Sequence, residues 1–77
     1  MEEKIYTILQ ETRPEFDFRE SSNFVEDGYL DSFDVVTIVS ELEGTFGVVI
    51  DGLEIIPENF ETVDNICQLV ERSAKKA

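Results

Sequence analysis

The stretch Gly28-Tyr29-Leu30-Asp31-Ser32-Phe33-Asp34-Val35-Val36-Thr37-Ile38-Val39-Ser40-Glu41-Leu42-Glu43-Gly44-Thr45-Phe46-Gly47 carries the decision between helix and strand. It is rich in β-branched residues, which lowers helix propensity slightly and favours strand. A strand running from Ser32 to Phe46 would be unusually long. The apolar positions Phe33, Val35, Val36, Ile38, Val39, Leu42 and Phe46 keep a helical period to the end. Helix therefore wins over residues 32–46, with Gly47 placed to end it in the left-handed conformation.

The start of that helix is the first candidate site. Gly28 marks a turn, and Asp31 is a strong N-cap whose carboxylate can reach the free N–H groups of the next turn. Ser32 then falls at the first helical position with its hydroxyl uncommitted. Unpaired N–H groups and the positive end of the helix dipole favour an anion there. The competing assignment makes Ser32 itself the cap, a common use of serine. Asp31 and Asp34 oppose a bound anion by like-charge repulsion.

Working outward, Ile5, Ile8, Leu9 and Thr12 recur at helical spacing with Tyr6 beside them. They predict an amphipathic helix over 2–12 that Pro14 ends. Residues 14–31 show no sustained period. A loop this long in so short a chain is functional or self-packed, and Phe16, Phe18, Phe24 and Leu30 are placed to pin it. Val48 to Ile50 has no complementary strand and reads as an extended connector. Asp51-Gly52 marks a turn. Residues 53–60 read as irregular or short helical turns, with Ile55, Ile56 and Phe60 directed inward. Thr62 is a good N-cap for a last helix whose apolar face is Val63, Ile66, Leu69 and Val70. Asp64 near its start and Arg72, Lys75 and Lys76 near its end suit the helix dipole. The expectation is one domain, 1–77, with fraying over 73–77. Its three main helices and one minor helix form a small all-α bundle.

Composition removes whole classes of function. Eighteen acidic residues against six basic ones give a net charge of −12. Nucleic acid and anionic membrane are not expected as partners on that ground, and a basic protein surface is favoured. No segment approaches the ~18 apolar residues of a membrane span. Met1-Glu2-Glu3-Lys4 lacks the basic start and apolar run of a secretory leader. With the lone Cys67, which predicts a reducing compartment, it leads to a cytoplasmic expectation.

Catalysis is not expected. The chain has no histidine, so neither a Ser-His-Asp triad nor a His-based metal site is available. Gly28 to Ser32 is not a Gly-x-Ser-x-Gly elbow. Asp27, Asp31 and Asp34 do not match calcium-loop spacing. Cys67 on a helix face reads as a small, mostly buried apolar residue.

Gly28-Tyr29-Leu30-Asp31-Ser32-Phe33-Asp34 resembles the Asp-Ser-Leu signature of acyl and peptidyl carrier proteins, with Phe33 where leucine is usual. Length, acidity, helix order and the long first loop extend the likeness over nearly the whole chain. The run Ile56-Pro57-Glu58-Asn59-Phe60-Glu61-Thr62-Val63 is similar to the approach to the last helix in many carrier domains, D-alanyl carrier proteins among them. The resemblance implies a four-helix bundle of the acyl-carrier type with a short third helix. It implies a 4′-phosphopantetheine arm on Ser32, transferred from coenzyme A by a phosphopantetheinyl transferase. A loading enzyme (adenylating or acyltransferase) would charge the arm with an acyl or aminoacyl thioester, and an acceptor enzyme would discharge it. The chain itself would do no chemistry. A monomer is the default expectation, apart from the resemblance.

The helix that begins at Ser32 is then the expected docking surface. Asp31, Asp34, Glu41 and Glu43 are candidates to meet basic residues, and Leu30, Phe33 and Val36 to enter an apolar groove. Core is the alternative for these three, favoured for Phe33. Thr37 and Gly44 stand where carriers of fatty acid synthesis usually place acids, which favours a free-standing carrier loaded by a dedicated adenylating enzyme. The alternative function is an unmodified acidic adaptor for a basic protein.

Overall fold

In a computed structural model describing residues 1–76, three α-helices are linked by ordered loops and short 3-10 turns: α1 (Glu2–Thr12), α2 (Ser32–Phe46) and α3 (Val63–Lys76). No strand occurs among the described residues. α1 is central and packs against both other helices, burying Ile5, Ile8 and Leu9. The 3-10 turn at Pro57–Phe60 bridges α2 and α3, with Phe60 completely buried.

Each helix boundary has a local cause. Beyond α1, the Arg13 amide still donates to Leu9 O (2.9 Å), but its backbone has left the helical region and Pro14 follows. Gly47, at φ 66°, closes α2 and donates to Glu43 O. Thr62 Oγ1 accepts from Asn65 N at 3.1 Å and caps α3. Of the interval expected to fray, α3 continues beyond residue 73, and Ser73 is buried with its hydroxyl donating to Leu69 O. The last position of that interval, residue 77, lies outside the described residues.

The bundle differs from the four-helix expectation: three α-helices are present among the described residues, and the anticipated short third helix is a 3-10 turn. Pro57 opens it and the Thr62 cap closes the interval, leaving no length for a run of i→i+4 bonds. Ile56, expected inside, is 41 % exposed.

The long loop is pinned by aromatic rings, as its sequence predicts. Phe18 and Phe24 are buried, with ring centroids 5.1 Å apart and edge to face. Tyr29 stacks on Phe16 at 4.4 Å and meets Phe18 edge-on at 5.4 Å. The carbonyl of Phe24 accepts from both Tyr29 N and Leu30 N, while its amide donates to Glu61 O. Leu30 is thereby carried into the core immediately before α2. After α2, Val48 and Ile50 are buried while Val49 between them is exposed, the alternation of an extended connector.

Candidate functional site: an exposed serine at the mouth of α2

The aromatic loop delivers the chain to Asp31, and Asp31 sets the start of α2. Asp31 Oδ1 accepts from Asp34 N (2.9 Å), and Asp34 Oδ2 accepts from Asp31 N (3.1 Å). This reciprocal pair is a capping box in which aspartate takes both roles. Ser32 follows as the first helical residue and is exposed. With capping done by Asp31, its hydroxyl and its own N–H have no hydrogen-bond partner among the described residues. The choice left open by the sequence, Ser32 as cap or as free hydroxyl, resolves toward the free hydroxyl.

A long-range contact holds the box. Arg13, at the end of α1, donates from Nε to Asp34 Oδ2 (2.8 Å) and from Nη2 to Asp31 Oδ2 (3.2 Å). Its Nη1 reaches Glu15 Oε2 at 3.1 Å. Bonds to Asp34 and Glu15 raise the pKa of Arg13 above its ordinary value. The Asp34 amide, and then the guanidinium charge, hold the Asp31 carboxyl below the usual aspartate range. The bond to its own amide, and then Arg13, lower Glu15 likewise.

The candidate docking residues separate into two groups. Phe33 is 82 % exposed and Val36 63 %, so Phe33 is not the core residue its pattern favoured. Leu30 is buried and belongs to the core instead. Glu41 is exposed, and Asp31 is exposed beside Arg13. Asp34 is only 13 % exposed and is bound on two sides. Glu43 is half-buried and accepts from Ile50 N at 2.9 Å, holding the connector after α2. Asp34 and Glu43 therefore use their carboxylates inside the molecule.

The outer face of α2 is a continuous exposed stripe of Ser32, Phe33, Val36, Thr37, Ser40 and Glu41 at i, i+3 and i+4 spacing. Ser40 is the member of this stripe that sequence patterning did not single out, although its place in that spacing was the available signal. Leu53, at 86 % exposure, and Val49 are further large apolar residues outside the core.

No group of three or more Cys, Asp or Glu side chains among the described residues is arranged to hold a metal ion. A cavity of about 370 Å³ is bordered by Met1, Glu2, Glu3, Cys67 and Glu71, none of them on α2. Burial, and then nearby acids, push the Cys67 thiol above its ordinary pKa, away from the thiolate a reactive cysteine needs.

The chain belongs to the phosphopantetheine attachment site family, whose model matches residues 3–70. Among curated proteins it is similar to the D-alanyl carrier protein of Lactococcus lactis subsp. lactis (strain IL1403), with 30 % identity over 73 residues and 92 % of each chain covered. No solved structure gives a significant match. Membership makes the chain a carrier domain for 4′-phosphopantetheine and not a catalyst. Among the described residues no helix is long and apolar enough to cross a membrane.

Proposed function

We propose that Ser32 is the attachment point for 4′-phosphopantetheine and that the chain, as one domain over residues 1–77, shuttles an acyl or aminoacyl group between enzymes. The observation that carries this reading is the free Ser32 hydroxyl at a helix mouth already capped by Asp31. The surroundings fit the group: a phosphodiester on Oγ would lie at the positive end of α2, near the unpaired Ser32 N–H. The attached arm supplies a thiol that holds the cargo as a thioester. The residues of this chain position the arm and present it.

The docking surface in this reading is the exposed stripe of α2. Phe33 and Val36 would enter an apolar groove of the visiting enzyme, while Asp31 and Glu41 meet basic residues around it. Asp34 and Glu43 contribute indirectly, by fixing the ends of the helix. Charge-steered association gives fast encounter without long residence, which repeated hand-over requires. The enzymes served are a phosphopantetheinyl transferase, a loading enzyme and an acceptor enzyme. The name of the Lactococcus relative favours an aminoacyl cargo such as D-alanine. The chain acts as a cytoplasmic monomer.

The test is incubation with coenzyme A, magnesium and a promiscuous phosphopantetheinyl transferase, followed by intact mass measurement. Wild type gains one phosphopantetheine adduct and Ser32→Ala gains none. No adduct on wild type, or the same adduct on Ser32→Ala, overturns the assignment. Salt-sensitive binding to a basic protein that survives Ser32→Ala and needs no arm would instead identify an adaptor.

A further inference from the structure

A basic residue sits among the acids at the mouth of α2. Arg13 lies 18 residues before Asp31 and 21 before Asp34, yet its guanidinium reaches both carboxylates. None of the other ion pairs among the described residues involves α2: Arg19 pairs with Glu3, and Arg72 with Glu54. The mouth needs acids for one purpose and is hindered by them for another. Their oxygens cap α2, but their charge opposes an approaching phosphate. Pairing them with a cation keeps the cap and offsets one of the two charges. The planar guanidinium bonds three carboxylates at once from fixed directions, which the point charge of a lysine does not.

We propose that Arg13 is a positioning residue for the modification of Ser32, offsetting one of the two charges of the Asp31–Asp34 box against the diphosphate of incoming coenzyme A. This inference rests on the assignment of Ser32 as the attachment point. In that transfer the Ser32 oxygen bonds to the pantetheine-bearing phosphorus, and the bond from that phosphorus to the bridging oxygen of the diphosphate breaks. Adenosine 3′,5′-bisphosphate leaves with the bond electrons, and a base on the transferase takes the hydroxyl proton. Arg13 touches none of the reacting atoms in this scheme. It acts through Asp31 and Asp34.

The experiment compares initial modification rates of wild type, Arg13→Gln, Arg13→Lys, the double variant Arg13→Gln/Asp34→Asn and the control Arg19→Gln. At low ionic strength Arg13→Gln lowers kcat/KM roughly 2- to 5-fold, the scale of one exposed charge pair. Arg13→Lys lies between it and wild type. The double variant recovers toward wild type because the unpaired charge is gone. Arg19→Gln changes net charge equally and leaves the rate unaltered. In about 1 M salt, where the Debye length is ~3 Å, the Arg13→Gln deficit largely disappears, which a purely structural loss would not do. Wild-type rates for Arg13→Gln at low salt, or a deficit indifferent to salt, overturn the proposal. If Arg13→Gln does not fold, a double variant slower than Arg13→Lys overturns it. A wild type that gains no adduct fails the Ser32 assignment itself, whereas a modified wild type matched by Arg13→Gln fails only the role of Arg13.

Discussion

Asp31 and Asp34 each accept a hydrogen bond from the other's backbone amide, at 2.9 and 3.1 Å. Three residues of backbone are thereby fixed on both sides of Ser32 without using its hydroxyl. Asp34 Oδ2 also receives Arg13 Nε, so the start of α2 is tied to the end of α1.

The cap has a pH signature. The Asp31 carboxyl is held below its ordinary range, chiefly by the Asp34 amide. A depressed folded-state pKa means that its stabilising effect is complete above the unfolded value near ~4 and is lost as pH falls through the lower folded value. Asp31→Asn keeps a good cap but no titrating charge. The melting temperature of wild type minus that of Asp31→Asn should stay constant from neutrality down to pH ~4 and shrink below it. A difference that grows on acidification contradicts the capping account.

Phe33 and Phe18 should respond very unequally to truncation. Phe18 is buried among Phe16, Phe24 and Tyr29, and Phe18→Ala should cost about 3–5 kcal/mol. That is comparable to the whole net stability of ~3–5 kcal/mol typical of so small a core, so the variant should be largely unfolded. Phe33 is 82 % exposed, and Phe33→Ala should stay within about 0.5 kcal/mol of wild type. Urea denaturation separates the two.

Two glycines of one segment should give changes of opposite sign. Gly47 sits at φ 66° with open space where a Cβ would project, so Gly47→Ala meets backbone strain alone. It should lose about 1–2 kcal/mol. Gly44 lies within α2 with open space around it, and Gly44→Ala should gain up to about 1 kcal/mol of helix propensity. Thermal melts of both variants check the pair.

A net charge of −12 on 77 residues makes self-repulsion a general cost. Melting temperature should rise with sodium chloride and rise further with magnesium. Indifference to both contradicts self-repulsion as a cost to this fold.

The helices were legible because their ends are written locally. Pro14, Asp31, Gly47 and Thr62 stand at the observed boundaries, each acting within a turn of its own position. The orientation of α2 was less legible. Its apolar residues cover so broad a face that periodicity cannot choose the buried sector. Leu30, Val48 and Ile50, arriving from outside the helix, join Ile38, Val39 and Leu42 in the core and leave Phe33 and Val36 outside. The duties of Asp34 and Glu43 were hidden for a related reason. Their counterparts, Arg13 and the Ile50 amide, lie in other segments, and no pattern within α2 announces them.

The stack of Tyr29 on Phe16 also gives the molecule a built-in optical reporter. The chain has no tryptophan and two tyrosines, so near-ultraviolet dichroism arises mainly from Tyr6, Tyr29 and the phenylalanines around them. Tyr29 is clamped in the aromatic cluster and stands three residues before Ser32 in the sequence. Its signal reads the packing of the loop that precedes Ser32, so the order of that loop can be followed by light without adding a label.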